Sequence, residues 1–185
     1  MYQLKFDGLY RHFYERGSRL EYAGLMCYGW LITRGGRLIA RGHGAYVSDR
    51  DATSNVAEYL ALINGLEALR DLGIREQRVR IIGDSQIVIR QMDGSAVVTA
   101  PRLQRLNQRA SRVSNRFENV SWVWVPRRHN HEADRLSRHA LQQIGGAKGN
   151  YNQYIMSVDQ EQVNVKGFLP ILDLCIFQPK PLYVN

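Results

Sequence analysis

At 185 residues, with 44% hydrophobic and 10% aromatic side chains, the chain has the length and apolar content to bury a core in one ordinary domain, which excludes a disordered chain. Its two cysteines, Cys27 and Cys175, lie far apart and form no Cys-x-x-Cys pair, which argues against a disulfide framework or a thiolate zinc site. A net charge of +8 and a pI near 9.8 favour a polyanionic partner, because phosphates reward clustered Arg and Lys through counterion release, without identifying one.

All 21 arginines lie between Arg11 and Arg138, whereas three of the four lysines, Lys148, Lys166 and Lys180, come later and are balanced by Asp159, Glu161 and Asp173. The composition therefore changes near residue 145, and a domain over 1–145 with a C-terminal extension over 146–185 is expected. The amino terminus lacks the basic start and apolar run of a signal peptide, and no stretch has the length of a membrane span. The expectation is a cytoplasmic chain with no membrane association.

Tyr2, Leu4 and Phe6 alternate with Gln3 and Lys5, the period of a strand with one buried face, which Asp7 and Gly8 are expected to end. Residues 9–22 are polar and aromatic without periodicity and read as a loop. Ala23 to Thr33 and Arg37 to Tyr46 read as strands joined by Gly35-Gly36, since a tight hairpin turn needs positive φ. Ala52 to Leu72 reads as a helix, with Val56, Tyr59, Leu62, Ile63, Leu66 and Leu69 on one face, Thr53 or Ser54 as cap, Glu58 at the flank and Gly73 past the end.

Arg78 to Ile82 then reads as a strand leading into Gly83-Asp84, followed by a short helix from Ser85 to about Met92 and a break at Asp93-Gly94-Ser95. Pro101 opens a helix to about Phe117 with Leu103, Leu106, Ala110, Val113 and Phe117 inward. Val120 to Val125 is the fifth strand. The last helix, His131 to Ile144, is expected to bury Leu136, Ala140 and Ile144. A hairpin-rich start followed by alternating strands and helices predicts an α/β fold, a mixed sheet with helices packed on it.

Four acids occupy comparable places: Asp7 at the first strand's end, Glu58 early in the long helix, Asp84 after the fourth strand and Asp134 in the first turn of the last helix. Ligands gather beyond the carboxyl ends of strands in such sheets. Taken singly, each acid is ordinarily a solvated group or a helix cap, and Asp134 alone would suit a helix amino terminus. Their placement on four separate elements argues for one site. Converging carboxylates repel unless cations neutralise them, and hard oxygen donors select Mg²⁺ or Mn²⁺. Two such ions would suit hydrolysis of a phosphodiester.

On these pieces the chain resembles the type 1 ribonucleases H over about residues 1 to 145. Phe6-Asp7-Gly8 is similar to the family's first-strand Asp-Gly, and Ala52-Thr-Ser-Asn-Val-Ala-Glu58-Tyr to its helix start. Ile82-Gly-Asp84-Ser85 is similar to its Asp-Ser, and Glu132-Ala-Asp134-Arg-Leu to its final helix. The resemblance implies a ribonuclease H-like fold, a five-stranded mixed sheet with three antiparallel strands and then two parallel, flanked by helices. It implies endonucleolytic cleavage of the RNA strand of an RNA/DNA hybrid with two Mg²⁺ ions, or Mn²⁺, held by Asp7, Glu58, Asp84 and Asp134.

It further implies minor-groove contacts from Gly8, Ser54, Asn55 and Ser85, where reading the 2′-OH tells RNA from DNA, and a DNA-phosphate contact from Thr53. Family members often carry a mobile His before the last acid, and His129, rather than His131, matches it as an aid to proton transfer or product release. The chain departs from the pattern in several places, and the loop from Pro126 to Asp134 that carries this His is shortened. Residues 9–22 are longer and more aromatic than usual, the connection from Asp93 to Ala100 is too short for a basic protrusion, and Ser54 stands where many relatives have Asn.

Other features carry two readings. His129-Asn-His131 has no companion cluster for zinc. Arg102, Arg105, Arg109, Arg112 and Arg116 form a basic stripe that suits phosphates or simply a solvated helix face. Trp122 and Trp124 read as packing residues, and Tyr10, Phe13 and Tyr14 as the better candidates for nucleic-acid contact. The apolar run from Phe168 to Phe177 is compatible with extra strands covering the domain, with a dimer contact, or with residues foreign to a nuclease. The rivals to a ribonuclease H are a nuclease of this fold acting on another duplex and a non-catalytic nucleic-acid or partner-binding module. Oligomeric state is not legible here.

Overall fold

The computed structural model describes residues 1–12, 24–48, 52–146 and 169–177, with residues 145–146 and 169–177 described by their backbone alone. In chain order the elements are β1 (Tyr2–His12), β2 (Gly24–Arg34), β3 (Arg37–Ser48), α1 (Ser54–Asp71), β4 (Val79–Gly83), α2 (Gln86–Met92), α3 (Pro101–Ser114), β5 (Val120–Trp124), a 3-10 turn (Arg127–His129), α4 (His131–Gly146) and β6 (Leu169–Phe177). They form a sheet of order β5-β4-β1-β2-β3-β6. β1, β2 and β3 pair antiparallel, and β4 and β5 pair parallel on the other side of β1, which is the expected five-stranded mixed arrangement. β6 adds a sixth strand antiparallel to β3, within the stretch expected to be an extension.

β1 is longer than its opening residues suggest. Asp7 and Gly8 do not end it, and Leu9 to His12, expected in a loop, continue the ladder with β2 as far as His12 opposite Gly24. The tertiary reason is the length of the partner strand. Gly8 serves a close approach rather than a turn, for a Cβ there would lie 2.2 Å from the backbone nitrogen of Glu58. A turn does form at Gly35-Gly36, both with positive φ as the hairpin requires. Phe13 and Tyr14, with the rest of residues 13–23, lie outside the described residues, and Tyr10 is half-buried against the core.

α1 starts as its sequence predicts, with the Thr53 hydroxyl accepting from the Val56 N–H at 3.3 Å. Its burial exceeds the one expected face. Val56 through Ile63, with Gly65, Leu66, Ala68 and Leu69, are all buried, because the helix is covered by the sheet on one side and by α3 on another. The stripe predicted on α3 is the one buried: Leu103, Leu106, Ala110 and Val113, with Phe117 just beyond. Leu4 and Phe6 of β1 are wholly buried under α1, and side chains of this size contribute roughly 1.5–3 kcal/mol each when removed from water.

The opposite sheet face is crossed by α4. Among its described side chains Ala133, Ser137 and Ala140 are buried, Ala140 as expected, whereas Leu136 and Ile144, also expected inward, are half-buried. Small residues are selected because the helix backbone presses on β2, where a Cβ on Gly29 would lie 2.5 Å from the Ser137 nitrogen. Among the described residues, no helix is long and apolar enough to cross a membrane.

Candidate metal centre

The parallel pairing of β1 with β4 reaches Lys5 and stops, leaving one edge of β1 open beside the carboxyl end of β4. Two backbone groups there would be unpaired, and side chains satisfy both. The Gly8 N–H donates to Glu58 Oε2 at 3.1 Å, and the Phe6 carbonyl accepts from Asn130 Nδ2 at 2.8 Å. Asp84 follows directly on β4, and its Oδ1 accepts a second bond from Asn130 Nδ2 at 3.0 Å. Asp7 lies mid-strand on β1, buried, and its Oδ2 accepts from the Ser137 hydroxyl of α4.

One carboxylate oxygen from each of Asp7, Glu58 and Asp84 lies within 4.8 Å of the others. Three of the four expected acids are thus brought together. Asp134 is near but turned elsewhere, with Oδ1 accepting from Arg127 Nε at 3.1 Å and from its Nη2, and Oδ2 from Arg138 Nε at 2.8 Å. Proximity of the acids still registers in their acidities. Burial pushes Asp7 up to about 6, helped by the charges of Asp84 and Asp134 and opposed by the Ser137 bond.

Burial, then the charges of Asp7 and Asp84, hold Glu58 well above the usual carboxylate range, against the Gly8 N–H. For Asp134, burial works upward, but the bonds and charges of Arg138 and Arg127 outweigh it and hold the group below its ordinary value. Two buried acids that resist ionisation, facing a third, make a site that a positive charge would relieve. The donors are all oxygen, so the residues fit a hard divalent cation such as Mg²⁺ or Mn²⁺. Asn130 Oδ1 adds a fully buried acceptor with no hydrogen-bond partner beside the carboxylates.

The other predicted site residues surround this group unevenly. Ser54 is exposed and Asn55 half-buried on the first turn of α1, one turn before Glu58, and Ser85 is half-buried next to Asp84. Gly8 packs against α1, and the Thr53 oxygen is engaged in capping. His129 is exposed at the end of the 3-10 turn, where its Nε2 accepts from Arg128 Nε at 3.2 Å. Trp124, expected to pack, is 44% exposed, with its indole N–H donating to the Asp84 carbonyl at 3.0 Å; Trp122 does pack on the core. Arg109 of the basic stripe pairs with Glu67 at 2.7 Å.

Sequence reasoning missed Asn130, Ser137 and Arg127. A signal existed for two of them, because Asn130, Ala133, Asp134 and Ser137 follow the three-and-four spacing of a single helix face, which a search for large apolar side chains passes over.

A family model described as reverse transcriptase-like matches residues 29–140. The chain is 37% identical over 131 residues to ribonuclease HI of Halobacterium salinarum, a match covering 70% of this chain and 63% of that protein. The N-terminal RNase H domain of a Mycobacterium tuberculosis protein, solved as a fusion with maltose-binding protein, superposes with a TM-score of 0.64 at 30% identity, covering 80% of this chain and 98% of that one. LC11 ribonuclease H1, solved in complex with an RNA/DNA hybrid, superposes with a TM-score of 0.64 at 28% identity over 77% of this chain and 98% of that one. The chain spans less than two thirds of the curated relatives it matches, 63% of the archaeal protein and 24% of the mycobacterial one.

Proposed function

The chain belongs to the type 1 ribonuclease H family, and on that premise we propose that it is an endonuclease that hydrolyses the RNA strand of RNA/DNA hybrids with divalent metal ions. The observation that carries this reading is the convergence of Asp7, Glu58 and Asp84, from three separate elements, to within 4.8 Å. Asp7, Glu58 and Asp84 would hold the cation, with Asp134 completing a second position. Two bound Mg²⁺ or Mn²⁺ ions would supply activation of the attacking water and stabilisation of the leaving oxygen.

The protein's own part is to assemble and restrain the ligands. Glu58 is braced by the Gly8 N–H, and Asp84 by Asn130. Ser54, Asn55 and Ser85 stand on the turns that carry Glu58 and Asp84, and we assign them, with the Gly8 backbone, to reading the RNA 2′-OH. The Thr53 oxygen accepts from Val56, which leaves its hydroxyl proton for a DNA phosphate. His129 is assigned to proton transfer or product release from its exposed turn.

The test is cleavage of RNA/DNA, DNA and RNA duplexes with Mg²⁺ or Mn²⁺. Cuts confined to the RNA strand of the hybrid, leaving 5′-phosphate and 3′-hydroxyl ends, are expected. Equal cutting of a pure DNA duplex, or activity surviving Asp84→Asn, would overturn the reading. Tight metal-independent binding without cleavage would favour a non-catalytic module.

A further inference from the structure

Ser137 is wholly buried on the sheet-facing side of α4, and its hydroxyl meets two acceptors: Asp7 Oδ2 and the main-chain carbonyl of Asp134, the latter at 2.9 Å. A serine hydroxyl has one proton to give. A helical serine commonly gives it back to the preceding turn, as Ser114 on α3 does to the Ser111 carbonyl at 3.1 Å. An ionised carboxylate is the stronger acceptor, since charge-assisted bonds are roughly twice as strong as neutral ones, so Asp7 takes the proton.

The hydroxyl is also held in place. The backbone of α4 is pressed onto β2 at Ser137, with no room for a Cβ on Gly29, so the backbone that carries the donor is held at a fixed distance from the sheet. Asp7 has the opposite tendency. The nearby carboxylates of Glu58 and Asp84, each with an oxygen within 4.8 Å of one of its own, repel it. Left to itself, the Asp7 carboxylate would turn from them and the group would come together only when a cation arrived.

We propose that Ser137 is a positioning residue of the metal centre: it grips Asp7 by Oδ2 and fixes the orientation of that carboxylate beside Glu58 and Asp84, so that the three-carboxylate group stands assembled before a cation binds. This rests on the reading of that group as a cation site. Groups that orient ligands from behind typically change metal affinity 10–100-fold when removed, and the loss of one neutral donor sits at the lower end of that range.

The experiment is calorimetric titration of Mn²⁺ into the full chain, as the natural sequence, Ser137→Ala and Ser114→Ala, each checked for folding by circular dichroism. Ser137→Ala is expected to weaken Mn²⁺ binding about 10-fold, the equivalent of about 1.4 kcal/mol. Ser114→Ala, which removes a similar helical serine outside the site, is expected to leave it unchanged. In cleavage assays Ser137→Ala should need more cation for half-maximal rate, recover most of kcat at saturating cation, and keep its KM for hybrid. Unchanged Mn²⁺ affinity in Ser137→Ala, or an equal loss in Ser114→Ala, would overturn the proposal alone. A natural chain that takes up no Mn²⁺ would overturn both the proposal and the cation-site reading beneath it.

Discussion

Asn130 binds Asp84 Oδ1 at 3.0 Å with the same amide nitrogen that holds the Phe6 carbonyl at 2.8 Å, so one buried side chain ties the end of β4 to the middle of β1. Removing it leaves a buried backbone acceptor unpaired and a carboxylate unbraced. Asn130→Ala should destabilise the chain by roughly 1.5–3 kcal/mol, the usual worth of hydrogen bonds to charged groups. Cleavage of hybrid should fall about 10–100-fold. Denaturant unfolding and single-turnover rates measure the two effects, and a variant with unaltered rates would show that Asp84 needs no such brace.

Neutralising the acids should separate stability from activity. Asp7 is raised from 3.8 to about 6 chiefly by burial, so keeping it ionised at neutral pH costs the cation-free fold at most about 3 kcal/mol. Asp7→Asn and Glu58→Gln should therefore raise the Tm measured in EDTA, by several degrees at about 2–4 °C per kcal/mol for a chain of this size. Both should abolish cleavage. A lower Tm in EDTA for either variant would contradict the burial cost assigned to these carboxylates.

The same shifts set the pH dependence of the cation-free protein. A folded pKa above the unfolded one means that the folded state holds the extra proton, so this contribution is fully present below about 4 and is lost as pH rises through about 6 for Asp7. Glu58 shifts in the same direction and extends the loss upward. Asp134 has the opposite sign, but its lowered pKa confines it to more acid solution. Stability in EDTA should decline between about pH 4 and 6, and saturating Mg²⁺ should remove most of that decline. Stability that rises across this window would reject the assignment.

At Gly8 the backbones of β1 and α1 come close together. A methyl group there would meet the Glu58 nitrogen at 2.2 Å and the Ala57 carbonyl carbon at 2.3 Å, both backbone atoms that cannot rotate aside. Gly8→Ala should cost at least the roughly 1–3 kcal/mol of an overpacked core and should displace Glu58 from the other two acids. Thermal unfolding together with Mn²⁺ titration tests this, and a variant with natural stability and affinity would show that the helix can move off the strand without consequence.

Arg127 is the internal competitor of a cation. It bonds Asp134, and its charge also draws the pKa values of Asp7 and Glu58 downward, favouring their ionised forms. The guanidinium is largely exposed, so solvent screens it and its influence is modest. Arg127→Ala should lower the Mg²⁺ concentration for half-maximal cleavage by about 2- to 5-fold, within the range of such screened charges. An unchanged or higher Mg²⁺ requirement would assign Arg127 to the substrate instead.

Local signals in the sequence determined most of the architecture. Alternation marked the first strand, Gly35-Gly36 between two apolar runs marked the hairpin, Thr53 or Ser54 marked the start of α1, and the spacing of Leu103 to Phe117 marked the buried side of α3. These are readable because each depends on a residue's own backbone preferences and on the period of its element. The same residues show that Asp7, Glu58, Asp84 and Asp134 sit on separate elements, which was enough to expect a carboxylate site.

Tertiary structure decided the rest. Whether β1 stops at Asp7 or runs to His12 depends on the length of β2, and whether the Gly8 N–H is paired depends on where β4 ends. Ala140 was legible as a buried residue of α4, but the burial of Ala133 and Ser137 in place of Leu136 follows from how closely that helix approaches Gly29, a distance that no single element encodes. Asp134 turns to Arg127 and Arg138 because these cations lie within reach of it, and charge pairing acts through space rather than along the chain. Periodicity tells which residues share a face; only the packing of all faces at once decides which of them meet.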